Sequence, residues 1–68
     1  MNKNYTTLIR FPEVIKRTGV SRATIYRLIN IKAFPLPVKI SEKAIAFVES
    51  EVNDWIENLI NSSRNKAA

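Results

Sequence analysis

Arg22, Tyr26 and Arg27 fall within six consecutive positions, just after Ser21 and among apolar residues at helical spacing. The chemistry these side chains offer is non-covalent. Guanidinium forks and hydroxyl groups hydrogen-bond to phosphate oxygens and to the edges of bases. Lys39 and Lys43 further on, and Lys16 and Arg17 before, add cations of the same use. Bond-making chemistry has no such support. The chain contains no histidine and no cysteine, which removes imidazole bases, thiolate nucleophiles and thiolate metal sites together. Glu51, Asp54 and Glu57 read as a solvated helix face and are accompanied by no nucleophile, base or metal ligand. A single glycine leaves no glycine-rich phosphate loop. An enzyme, a cofactor, a metal and a small-molecule substrate are therefore not expected.

The elements that must position these cations follow from pattern. Over residues 19–31 the order is Gly-Val-Ser-Arg-Ala-Thr-Ile-Tyr-Arg-Leu-Ile-Asn-Ile. Gly19 takes a left-handed turn without steric cost, and Ser21 stands where a helix N-cap belongs. Ile25, Leu28 and Ile29 share one face of a helix over 22–31, opposite Ala23, Arg27 and Asn30. Arg22 projects nearer the core side, at the end of the helix where it is free to swing outward. Before it, residues 12–18 predict a short helix. Pro12 suits its first turn, Glu13 and Lys16–Arg17 complement its dipole, and Phe11, Val14 and Ile15 face inward. Two helices joined by a tight glycine turn read as a helix-turn-helix, whose second helix enters a DNA major groove.

After the second helix Pro35 and Pro37 end helical structure. Val38-Lys39-Ile40 alternates as a half-buried strand does, Ser41-Glu42-Lys43 reads as a turn, and residues 44–48 are again suited to a strand. These make a β-hairpin. The last helix is predicted from Ser50 as its cap. Val52, Trp55, Ile56, Leu59 and Ile60 form an unbroken apolar stripe along it. The expected organisation is a flexible arm over 1–7, pinned by Tyr5 and Leu8, a domain over 8–61 and a disordered tail over 62–68.

The chain has 68 residues and a net charge of +5. Residues 1–43 carry nine lysines and arginines against Glu13 and Glu42, a net of +7, whereas residues 44–68 sum to −2. The positive charge is thus concentrated where the helix-turn-helix lies, which favours a polyanionic partner. No apolar run of membrane-spanning length exists, and the first residues lack the apolar stretch of a signal peptide. The expected location is the bacterial cytoplasm, on the nucleoid when bound to DNA.

Four stretches occur in a telling order: Leu-Ile-Arg-Phe-Pro-Glu-Val (8–14), Thr-Gly-Val-Ser-Arg-Ala-Thr-Ile-Tyr-Arg-Leu-Ile (18–29), Phe-Pro-x-Pro-Val-Lys-Ile (34–40) and Glu-Ser-Glu-Val-x-x-Trp-Ile (49–56). In these the chain closely resembles the AlpA family of phage and prophage regulators. The resemblance implies a mainly α fold with a small β-hairpin, a winged helix-turn-helix of order α-α-β-β-α, MerR-like and excisionase-like. It implies binding of double-stranded DNA and control of integrase expression or of excision. The candidate protein partners are integrase and further copies of the chain on adjacent sites. By the family's pattern Ser21, Arg22, Ala23, Thr24, Tyr26 and Arg27 match the recognition helix, and Lys39 and Lys43 match the wing. Phe47 stands where the family more often has tryptophan, and Asn30-Ile31-Lys32 replaces a loop that often holds glycine or acidic residues.

Each candidate also has a structural reading. Arg22 and Arg27 are alternatives for base and phosphate contact, or ordinary solvated charges. Tyr26 either fills a gap between helices or reaches phosphate. Ser21 and Thr24 are either caps alone or part of a helix N-terminus whose free N–H groups and dipole suit a phosphate. Lys39 and Lys43 also suit an edge hairpin as protective charges. Lys16 and Arg17 either complement the helix dipole or meet phosphate. Trp55, Phe11, Phe34 and Phe47 are expected in the core. Excisionase-like relatives imply a further role, a protein-interaction module that inhibits a response regulator through the acidic face of Glu51, Asp54, Glu57 and Asn58.

Overall fold

The computed structural model describes residues 6–66. Its elements are β1 (Leu8–Ile9), α1 (Phe11–Thr18), α2 (Arg22–Asn30), β2 (Val38–Ser41), β3 (Ala44–Val48) and α3 (Glu49–Lys66). The strands form one antiparallel sheet in the order β1-β3-β2. In β1 Leu8 pairs with Val48 and Ile9 with Phe47. In the hairpin Val38 pairs with Ala46 and Lys39 with Ile45, and the register shifts before Ser41 meets Ala44. Three helices on a three-stranded sheet are compatible with a winged helix-turn-helix domain. The third strand, β1, lies at the very start of the expected domain, where the sequence showed no strand. Two residues are too few for a period to be read, and β3 recruits them through its free edge.

The core is small and aromatic. Phe47 is fully buried at its centre, edge-on to Phe11 with ring centroids 5.1 Å apart and to Phe34 at 5.8 Å. Val14 of α1, Ile25 of α2 and Val52 of α3 are also fully buried, so each helix contributes one anchor. Trp55 stacks edge-on against Phe34 at 4.8 Å, and its indole N–H donates to the Ala33 carbonyl at 2.8 Å. The expected core aromatics therefore pack together, with Trp55 partly buried at the margin.

Both early helices end by left-handed residues. Gly19 has φ 71°, and its N–H donates to the Ile15 carbonyl at 2.8 Å. After α2 the left-handed residue is Lys32, with φ 61°. The Lys32 N–H reaches the Ile29 carbonyl at 3.0 Å and the Ala33 N–H reaches the Leu28 carbonyl at 2.8 Å. This pair of bonds is the Schellman motif, whose left-handed position is usually glycine. Lysine there explains how α2 stops without one.

Three expectations are corrected. No residue of β2 is buried, so Val38-Lys39-Ile40 is not a half-buried strand. β2 is an edge strand bonded to β3 alone, and Val38 and Ile40 remain exposed. Ser50 is not the cap of α3, because the helix starts at Glu49 directly after β3. There the Glu49 N–H continues the sheet by donating to the Thr7 carbonyl at 2.8 Å. The same bond ties the chain down at residue 7; Tyr5 lies outside the described residues. Finally, α3 continues to Lys66, where a tail from residue 62 was expected. Its apolar stripe is only half used: Val52 is buried and Trp55 and Ile56 pack on the core, but Leu59 and Ile60 are exposed. Backbone hydrogen bonding carries the helix past the end of its packing.

Candidate nucleic-acid interface

α2 is placed by one deeply buried residue, Ile25, with Leu28 and Ile29 packed beside it. That fixes which face is presented outward. Ser21, Arg22, Ala23, Tyr26, Arg27 and Asn30 are all exposed. The start of the helix is capped as the sequence indicated. The Ser21 hydroxyl oxygen accepts from the Thr24 N–H at 3.3 Å and lies 3.0 Å from the Thr24 hydroxyl. Ser21 and Thr24 are thus engaged with each other at the helix N-terminus.

Arg22 is fixed by an aromatic ring. Its guanidinium carbon sits 4.3 Å from the Phe11 ring centroid, a cation–π contact. Tyr26 shares the same ring, with centroids 5.2 Å apart, yet remains 47% exposed. The ring packs against Phe11 of α1, as the packing reading expects, and part of the side chain remains exposed. Arg27 is exposed and forms no ion pair among the described residues.

The hairpin supplies the second part of the face. Lys39 and Lys43 are exposed. The Lys43 N–H lies 3.4 Å from the Ser41 hydroxyl oxygen, which helps shape the turn. Between the hairpin and the start of α2 runs a cleft lined by Arg10, Arg22, Lys43, Tyr26, Phe11 and Ile45, among others. Arg10 is the residue that sequence reasoning did not single out. It lies beyond the expected arm over 1–7, among the cations of the first 43 residues, and only the fold shows that its place just before α1 lines the same cleft as Arg22 and Lys43. The available signal was its position immediately before Phe11-Pro12, where a helix start fixes the residue preceding it.

The remaining candidates are not gathered here. Lys16 is exposed on α1 outside the cleft. Arg17 is partly exposed and engaged within the molecule: it bonds Glu13 at 2.8 Å and Glu49 at 2.9 Å, and lies 3.5 Å from the Asn53 side-chain oxygen. The hydrogen bond from Arg17 holds the Glu13 carboxyl below its ordinary range, against a smaller opposing effect of desolvation. The same bonds, first to Glu13 and then to Glu49, raise the Arg17 guanidinium. Among the described residues no group of three or more histidine, cysteine, aspartate or glutamate side chains could hold a metal ion. No helix there is long and apolar enough to cross a membrane.

A turn-linked helix pair with an exposed cationic face, beside an exposed basic hairpin, defines the class as one compatible with winged helix-turn-helix domains. Residues 7–60 match the family described as prophage CP4-57 regulatory protein (AlpA), and the chain belongs to that family. It is 33% identical over 61 residues to the DNA-binding transcriptional activator AlpA of Escherichia coli (strain K12), covering 81% of this chain and 87% of that protein. It is 42% identical over 52 residues to the uncharacterized protein ORF88 of Enterobacteria phage P4, covering 76% of this chain and 59% of that protein. The family description and the named activator are those of regulators, not enzymes. No solved structure matches the chain.

Proposed function

We propose that this protein is a sequence-specific DNA-binding regulator of a prophage or other mobile element, with a MerR-like way of meeting DNA. α2 enters the major groove, and the β2–β3 hairpin follows the adjacent backbone or minor groove. The observation that carries this reading is the exposed face of α2, where Arg22 and Arg27 have no carboxylate partner among the described residues. Arg17 only five positions earlier is fully paired. Exposed, uncompensated cations on a capped, rigid helix suit contacts to phosphates and base edges. Membership in the AlpA family and the name of the K12 relative support the same reading.

The finer role is control of integrase expression, excision, or both. A single module of this size buries roughly 600–1,000 Å² of protein surface on DNA. Useful specificity then draws on repeated sites, on DNA bending or on integrase as a partner. The expected setting is the cytoplasm.

The test is binding to the DNA that flanks the protein's own gene, including an integrase promoter and attachment site, against random duplex across a salt series. Tight binding to one region, lost in the Arg22→Ala/Arg27→Ala double variant, is expected. A site beside the promoter, active on a reporter without an attachment site, assigns transcription control. Tandem sites at the attachment region with integrase-dependent excision assign the excisionase role. Equal, steeply salt-dependent binding to every duplex contradicts sequence-specific recognition.

A further inference from the structure

Two concave regions among the described residues differ in charge. The one between residues 32–38 and α3 sets Lys32 beside Glu51 and Asp54. The cleft between α1, α2 and the hairpin has Arg10, Arg22 and Lys43 as its charged lining and no carboxylate among its lining residues. These three cations come from three separate parts of the chain: the residue before α1, the first residue of α2 and the hairpin turn. None of them forms an ion pair among the described residues. Three positive charges line one partly enclosed cleft with no carboxylate among them, and such a cleft raises the local potential felt by an anion.

Arg22 is the fixed member. Its guanidinium rests on Phe11, which is 5% exposed and is itself held by Phe47. That contact biases Arg22 toward the Phe11 side of α2 and so toward the cleft. Arg27 lies five residues on, about 7.5 Å farther along the axis and about 140° around it. The two arginines cannot address the same group.

Resting on the DNA-binding reading above, we propose that this cleft seats one phosphate of the DNA backbone, held jointly by Arg10, Arg22 and Lys43. Arg27 is then the arginine of α2 that reads a base edge. The division follows from what each can recognise. A phosphate contact fixes register and carries no sequence information. A free guanidinium fork on the exposed face discriminates guanine by its O6 and N7 acceptors.

The test uses a duplex recovered from a randomised pool by repeated selection with the full-length protein, and a scrambled duplex of the same composition. Arg10→Gln, Arg22→Gln and Lys43→Gln are each expected to weaken binding to both duplexes by the same factor. Each is expected to flatten the slope of log K against log salt by a part of the roughly 0.9 that one phosphate contributes, and the triple variant by about 0.9 in all. Arg22→Lys, which keeps the charge, is expected to retain the slope. Arg27→Gln is expected to weaken the selected duplex about 10-fold or more while leaving the scrambled one nearly unchanged. Neutral methylphosphonate linkages placed one at a time identify the phosphate. One linkage should weaken the wild type most, weaken Arg22→Gln less, and have no effect on the triple variant. Loss of preference for the selected duplex in Arg22→Gln, or the absence of any linkage that is silent in the triple variant, overturns the assignment. Failure of the wild type to recover a preferred sequence contradicts the function proposed above and takes the assignment with it. An unchanged melting temperature in each variant assigns the effects to the interface.

Discussion

The guanidinium of Arg17 bridges Glu13 and Glu49 at 2.8 and 2.9 Å, tying α1 to the start of α3. This gives Arg17 a structural role that its place in a basic stretch did not reveal. Arg17→Ala is expected to lower the melting temperature at low salt while leaving DNA affinity nearly unchanged. The difference should vanish near 1 M salt, where screening acts over about 3 Å. A pH series checks the same pair. Glu13 titrates below its ordinary value of 4.5 in the folded chain, so its stabilisation is complete above that value. It is lost as pH falls through the lowered one. The wild type and Arg17→Ala should therefore converge in acid and diverge toward neutrality. Lys32 is a second informative residue. Its φ of 61° is unfavourable for a side chain with a Cβ. Lys32→Gly relieves that strain but gives the unfolded chain more freedom. The expected net effect is stabilisation of up to about 1 kcal/mol, read by urea unfolding.

The helix-turn-helix was legible at the scale of elements because each of its parts has a local cause. Gly19, the Ser21 cap and the Ile25–Leu28–Ile29 face act within a turn or two of the chain, and the structure bears out all three. The core aromatics were legible for the same reason. What was not legible depends on partners far away in sequence. β1 pairs with one edge of β3, and β2, on the other side of β3, is an exposed edge strand among the described residues. The start of α3 is set by Thr7, more than forty residues earlier. In the candidate site, Arg22 and Arg27 could be read from spacing, whereas Arg10 needed three elements to meet. One side-chain bond joins the loop after α2 to α3, from the Trp55 indole to the Ala33 carbonyl. Trp55→Phe keeps a ring against Phe34 but removes that bond. It is expected to cost about 1 kcal/mol in chemical denaturation.

The whole molecule is polarised. Its first 43 residues carry a net +7, and the remainder carries −2. Among the described residues Arg10, Arg22, Arg27 and Lys43 form no ion pair and lie on α2 or around the cleft beside it, while Lys16, Lys32 and Arg64, also without an ion pair there, lie outside the cleft. Glu51, Asp54 and Glu57 are exposed along α3. A domain this small has little core to hold it rigid, yet Phe47 gathers Phe11 and Phe34, and Phe11 in turn carries Arg22 and Tyr26. The centre of the core is thus two contacts away from the face proposed to meet DNA. The most direct measurement is a 15N–1H NMR titration of the full-length protein with a selected duplex, reading every backbone amide. The expected result is perturbation centred on residues 21–30, on Arg10 and on residues 39–43, with Glu51, Asp54 and Glu57 unmoved. Perturbation centred on α3, or none at all, would contradict the assignment of α2 and the hairpin as the DNA-binding face.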